Sequence, residues 1–381
     1  MRRLIILGVS FSLLLALLQG TAGAVTFGPA KLISATSNNS RYPRVDMDGS
    51  RVVAVYERWL LGTPASAKVY RVVSNDGGAT WGTPKKIYNI SPEQHAPDVA
   101  VCGDRVYATW VQAVASESQV QFAYSTDGGQ TFTYQGTIGV ARDTVDILED
   151  KPRVECYGTT KVWVAWADGN VEFRGSIDGG LNFLYAMDLE GDELITREAS
   201  IANDGNNVYV AYDTDDPVNV PNGAILFQKS TNAGMSFSPE ATITFHPGDG
   251  PHPVQPELAA FGKRIALAYM SGAMPDAVRT MVSVDRGASW PKARKVATGK
   301  SSPSIAAAAG RLDLVYADAA KVVHRSSTSD GLDWSAETTV ASGQQMGAFG
   351  TAAVSTKPKW VAAWTQYKGN RDRIYVAPAT P

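Results

Sequence analysis

An eight-residue pattern recurs six times along the chain: Ser, then Asp or a substitute at the third place, Gly at the fifth, and Trp or Phe at the eighth. The copies are SNDGGATW from Ser74, STDGGQTF from Ser125, SIDGGLNF from Ser176, STNAGMSF from Ser230, SVDRGASW from Ser283 and STSDGLDW from Ser327. Their serines stand 51, 51, 54, 53 and 44 residues apart. Self-similarity at a fixed period near 50 residues marks a repeat architecture. It overrides the two or three domains that 381 residues would otherwise suggest. The chemistry of the pattern is that of a tight turn between strands. Ser and Asp side chains bond the turn backbone, Gly allows a positive φ, and the final ring drops into a core. Asp76, Asp127, Asp178 and Asp285 are therefore expected to be structural, with Asn232 and Ser329 in their place in the fourth and sixth copies.

A second ladder runs through the same units: an anchor, usually Pro, a short apolar strand, a turn with Gly or Asn, then a strand ending in an aromatic. Its terminal aromatics are Tyr56, Trp110, Trp166, Tyr212, Tyr269, Tyr316 and Trp364, which makes seven hairpins against six boxes. Each box is followed by an outer strand such as WGTPKKIY, and residues 27 to 34, FGPAKLIS, have that form without a preceding box. The last unit has a third strand, RDRIYVA, but neither box nor fourth strand. The two chain ends are thus expected to share one unit, pairing edges that would otherwise stay open. The predicted fold is an all-β, seven-bladed β-propeller of four-stranded antiparallel blades, the last closed by the N-terminal strand. A six-bladed ring with a loose hairpin is the alternative. Strands such as VVAVY, VYATW and IALAY alternate large and small apolar residues, as sheets covered on both faces require.

The first 24 residues carry Arg2 and Arg3, an apolar run from Leu4 to Leu18, and Ala22-Gly23-Ala24. That is the form of a cleaved signal peptide, and the run is shorter than the roughly 20 residues a membrane span needs. Residues 25–381 are expected to form the propeller, secreted or periplasmic, free of the membrane and monomeric. Cys102 and Cys156 fall at nearly equivalent places in consecutive units. A disulfide and a pair of buried thiols both remain open. With 35 Lys+Arg against 37 Asp+Glu, the chain lacks the basic excess of a nucleic-acid binder.

Strand alternation sends the residues before each anchor and after each terminal aromatic to one face, and the boxes to the other. Two residues ahead of the anchors stand Arg41, His95, Asp150 and Arg197. After the aromatics come Glu57, Arg58 and Trp59, then Asp168, then Asp213, Asp215 and Asp216, then Asp318, then Gln366 and Tyr367. Loops of the same face add Arg142, Asp143, Asp146, Glu149, Asp192, Glu193, His246, Asp249 and His252. Arginines, carboxylates and exposed aromatics on one face suit a glycan or other anionic ligand: Arg holds a carboxylate through two bonds, and Trp59 or Tyr367 offers a ring for a sugar. No cofactor is indicated. Asp213, Asp215 and Asp216 offer oxygens to calcium without EF-hand spacing, against the alternative of a solvated acidic loop.

The box pattern resembles the Asp-box, or BNR, repeat of sialidases and related propeller proteins, and the resemblance spans residues 25–381. It implies a propeller, although sialidases of that family have six blades. The family also holds other glycoside hydrolases, lectins, sorting receptors and assembly factors. In its sialidases three arginines bind the substrate carboxylate, an Asp is the acid/base, and a Tyr activated by a Glu is the nucleophile. Arg41-Tyr42-Pro43 occupies the place of the family's Arg-Ile-Pro motif, with Tyr in place of Ile. Arg58 and Arg197 are candidates for the other two arginines, Tyr367 with Glu57 for the nucleophile pair, and Asp150 for the acid. His95 and Trp59 are candidate ligand contacts. The expected function is an exported propeller that binds a carbohydrate or other anionic ligand, with exo-sialidase-type hydrolysis as its enzymatic form. The alternative is a non-catalytic lectin or protein-docking scaffold.

Overall fold

A computed structural model describes residues 25–380 apart from 91, 115–116, 142–150, 168, 190–195, 215–222, 245–251, 273–276, 319, 344–345 and 355–358. Within them the strands form seven antiparallel sheets, six of four strands and one of five. The innermost strands are Asn39–Asp48, Gln94–Cys102, Arg153–Tyr157, Thr196–Asp204, Val254–Phe261, Ser301–Ala308 and Met346–Val354. Each touches the innermost strand of the next sheet, and the seventh touches the first, closing the ring of a seven-bladed propeller. In the seventh blade the outer position belongs to the N-terminus. Thr26–Phe27 and Lys31–Leu32 both pair antiparallel with Asp372–Thr380. That outer strand is split in two at residues 28–30, where Pro29 supplies no N–H for the ladder.

The alternating strands explain the packing. Seven apolar clusters lie between neighbouring blades, one at each interface of the ring. All seven terminal aromatics are fully buried. Truncating any of them to Ala would cost about 3–5 kcal/mol through lost contacts and the cavity left behind. Cys102 and Cys156 are bonded, with Cα atoms 6.3 Å apart, so that the innermost strands of blades two and three are cross-linked near their ends.

The boxes form one turn six times over. In the first, Ser74 Oγ donates to Asp76 Oδ1 at 2.8 Å and accepts from the Gly78 N–H at 2.9 Å. Asp76 Oδ1 in turn accepts from the Thr80 N–H at 2.8 Å. Asn232 reproduces the arrangement, its Oδ1 accepting from Ser230 Oγ at 2.8 Å and from the Ser236 N–H at 3.0 Å. At Ser329 the shorter side chain keeps the bond from the Asp333 N–H at 2.8 Å. The second glycine of the turn is needed twice over: Gly180 has φ +81°, and a Cβ there would lie 2.5 Å from the Phe122 ring.

Candidate functional site at the channel mouth

The innermost strand of a blade has one edge with no further strand, and in five blades its anchor is a proline, a residue without an N–H. Both conditions favour a β-bulge. The register slips at the anchor in six blades, between Arg41 and Arg44, His95 and Asp98, Thr196 and Ala199, Val254 and Glu257, Ser301 and Ser304, and Met346 and Gly350. In four of these blades the residue before the proline adopts a left-handed conformation: Tyr42 (φ 53°), Ala96 (47°), Gln255 (56°) and Ser302 (52°). Left-handed backbone costs a non-glycine residue about 1–2 kcal/mol. Its recurrence at one point of the ring brings these four residues to a single cavity of about 50 Å³ at the mouth of the central channel.

Arg44, Lys151, Arg153, Glu198 and Glu257 share the wall of that cavity. Arg44 Nη2 and Arg153 Nη2 donate to the same oxygen, Glu257 Oε1, at 2.8 and 2.7 Å. Lys151 Nζ reaches Glu198 Oε1 at 2.7 Å. Three cations therefore face two carboxylates, delivered by blades one, three, four and five. The Arg44–Glu257–Arg153 group is also the roof of a second cavity, about 240 Å³, which continues down the channel past Asp46, Asp98 and Glu155. These acids clasp the ring from within. Asp46 Oδ2 accepts from the Val101 N–H at 2.6 Å, and Asp98 Oδ2 from the Val154 N–H at 2.9 Å, each bridging to the next blade. Burial pushes Asp46 up to about 7 and Asp98 up to about 6, and raises Glu155 well above the usual carboxylate range.

Around the mouth lie the residues singled out from sequence. Arg41 Nε bonds Asp372 Oδ2 at 2.5 Å, and its guanidinium stands 5.3 Å from the Trp59 ring. Arg58 stacks on Tyr70 at 4.6 Å and donates to the Asn38 amide oxygen, in the orientation that its neighbours require. Arg197 is half-buried, and its charge acts on Asp213. None of these three arginines is among the residues lining the mouth cavity. Glu57, buried, takes His95 as its partner, Oε2 to Nδ1 at 3.2 Å, while His95 Nε2 reaches Glu93 at 3.1 Å. Burial disfavours the imidazolium, but the hydrogen bonds and charges of Glu57 and Glu93 outweigh it and raise the His95 pKa. Tyr367 is 37% exposed at the end of its strand, and no hydrogen bond joins it to Glu57. Asp213 is buried, its Oδ1 accepting from the Glu198 N–H at 2.8 Å. Burial, with the nearby Glu198 charge, pushes it up to about 8.

Asp150, Asp215 and Asp216 lie outside the described residues, as do the residue 1–24 segment, Arg142, Asp143, Asp146, Glu149, Asp168, Asp192, Glu193, His246 and Asp249. Among the described residues no group of three or more His, Cys, Asp or Glu is placed to hold a metal ion. No helix among them is long and apolar enough to cross a membrane. The convergent residues Arg44, Lys151, Arg153, Glu198 and Glu257 were not anticipated. Their signal was present: aligned on the anchors, they are the flanking positions at which innermost strands of otherwise apolar alternation carry charge.

No protein-family model and no curated protein matches the sequence. Solved structures do match the fold. A protein of unknown function from Dyadobacter fermentans superposes with a TM-score of 0.62 at 12% identity, over 94% of this chain and 100% of that one. The α-L-arabinanase of Penicillium chrysogenum, complexed with arabinobiose, gives 0.58 at 14% identity, over 93% and 98%. An ulvan lyase of family PL25 gives 0.60 at 11% identity, over 91% and 94%. At such identities the likeness establishes a shared propeller fold and nothing finer.

Proposed function

We propose that this propeller binds and processes an acidic carbohydrate on the face where its innermost strands begin, with the channel mouth holding the acidic group. One observation carries the reading: in the wall of a cavity with room for a single polar substituent, three cations stand beside two carboxylates, and Asp98, the further acid that acts on Arg44, lies below in the second cavity, so an anion entering the mouth meets a net positive wall. The rest of the sugar would lie over the rim, where Trp59 offers a ring and Arg41, Arg58 and Arg197 add positive charge. Arabinanase and ulvan lyase activities on propellers of the same fold support a carbohydrate as the ligand.

The enzymatic form of this reading needs a group that holds a proton near neutral pH. His95, with its raised pKa, adjoins the mouth through Ala96 and is the reachable candidate; Asp213 is a second protonated group behind Glu198. The non-catalytic form is favoured by a different fact, that each carboxylate of the mouth already has a cation partner. Export belongs to the same proposal, supported by the residue 1–24 segment and by a disulfide, which persists in oxidising compartments.

The test is a glycan array alongside a panel of uronate-, sialate- and arabinose-containing oligosaccharides assayed for new chain ends. Acidic glycans should be retained, and Lys151→Met should weaken them about tenfold or more, the scale of one charge-assisted hydrogen bond. Equal retention of acidic and neutral glycans, or indifference to Lys151→Met, would remove the mouth from the reading. New chain ends that disappear in His95→Gln would establish the enzymatic form.

A further inference from the structure

Blade one carries a cation where blades two to four carry a core phenylalanine. The residue three before the box serine is Phe122, Phe173 and Phe227 in blades two to four, Thr280 in blade five and His324 in blade six; in blade one it is Arg71. The phenylalanines are buried and meet the box aromatic of the following blade edge-on, at 4.9, 4.8 and 5.1 Å. Arg71 is buried just as they are, 5% exposed, with its guanidinium 5.9 Å from the corresponding Phe132 ring.

A guanidinium in a phenylalanine's place has lost its water and must be repaid by partners. Elsewhere carboxylates do this, as Glu257 does for Arg44 and Arg153, and Asp313 for Arg311. Arg71 has the Gln130 carbonyl as acceptor, and its buried Nε has no partner. Directly across the ladder stands exposed Lys85, and like charges facing each other across a ladder repel. No carboxylate among the described residues bridges the two. Asp76 shares their cavity, but its oxygens are taken up by Ser74 and Thr80. Asp127, which acts on Arg71 through its charge, is likewise bound within its own box turn. Arg71 and Lys85 line a cavity of about 490 Å³ on the box face, with Trp81 and Thr80 in its wall. That volume falls within the range of small-molecule sites.

We infer that this cleft between blades one and two, on the box face and so opposite the channel mouth, is a second binding site, for a sugar unit bearing a carboxylate. Arg71 and Lys85 take the carboxylate, the Thr80 hydroxyl, its proton given to Asp76, accepts from a sugar hydroxyl, and the Trp81 indole, whose Nε1 is held by the Gly78 carbonyl at 3.0 Å, forms a wall for the sugar ring. The site stands independently of the proposal for the mouth.

Calorimetric titration of the full chain with glucuronate, with glucose as the neutral control, tests it. Arg71→Phe installs the residue that blades two to four use, so it should leave the melting temperature unchanged or higher while weakening one class of glucuronate sites about tenfold or more. Lys85→Gln, a change at an exposed position, should weaken the same class without touching the fold, and rising salt should do likewise. If Arg71→Phe unfolds the chain, Lys85→Gln decides alone. Glucuronate uptake unchanged in the folded variants, or equal uptake of glucose, would overturn the inference. Loss of uptake in Lys151→Met alone would place all binding at the mouth and overturn it equally.

Discussion

Glu257→Ala is the sharpest probe of the channel mouth. Glu257 is the carboxylate that Arg44 and Arg153 share, and the three side chains are 18%, 17% and 6% exposed. Removing it leaves two guanidinium groups facing each other over the channel, each already desolvated. Breaking a buried ion pair costs about 3–5 kcal/mol, and because two partners are stranded together the upper end applies. At about 2 °C per kcal/mol for a chain of this size, the melting temperature should fall by about 10 °C. Circular dichroism melts and urea titration both report it. Glu257→Gln should recover part of the loss, since an amide oxygen still accepts from one guanidinium. The triple variant Glu257→Leu, Arg44→Met, Arg153→Met should approach wild-type stability, because apolar groups of similar volume avoid the desolvation altogether. A loss below about 1 kcal/mol in Glu257→Ala would be the behaviour of an exposed ion pair, and would refute the reading of the mouth as a desolvated charge cluster.

Stability should peak in weakly acidic solution. Asp46, Asp98 and Asp213 are pushed up to about 7, 6 and 8, so the folded chain holds protons that the unfolded chain, with carboxyls near 4, has already released; stability therefore falls as pH rises from about 4 to 8. Box aspartates act the other way: bonds from Thr80 and Ser289 lower Asp76 and Asp285 to about 2, a contribution present above about pH 4 and lost on the way down to 2. Melting temperatures across pH should thus decline on both sides, and Asp213→Asn should flatten the alkaline arm; an unchanged alkaline arm counts against its buried proton. In the boxes, Asp127→Ala should cost about 1–2 kcal/mol in urea titration through loss of the Thr131 and Ser125 bonds, whereas Asp127→Asn should stay within about 0.5 kcal/mol, as Asn232 already makes the equivalent bonds. Equal losses in the two variants would mean that charge, not hydrogen bonding, holds the turn.

Blade number, box turns and ring closure were all legible in linear order, because each rests on a local pattern repeated at a fixed period. Ser74 meets Asp76 and Gly78 within one turn, and seven buried aromatics close seven hairpins whatever the ring does. The match of residues 27–34 to the missing outer strand was legible for the same reason. Strand alternation put Arg41, Trp59, Glu57 and His95 on one face, and in the structure Arg41 stands by Trp59 while Glu57 meets His95. Their pairing did not follow: Glu57 with His95 and Arg41 with Asp372 depend on which strand ends the closed ring brings together.

The mouth itself belonged to the tertiary structure. Arg44 and Glu257 are 213 residues apart, and Arg153 and Glu257 are 104 apart. Each flanks an anchor, but nothing in linear order says which of them meet; they do so because every innermost strand starts at the same rim, with the register slipping at the anchor beside Arg44 and Glu257 and running unbroken at Arg153. Asp46, Asp98 and Asp213 are ordinary acids as letters, and only burial by neighbouring blades raises their pKa values. Periodicity sets what each blade is, since it acts over a few residues. Closure of the ring sets which charges face one another, since that depends on strands contributed by every part of the chain.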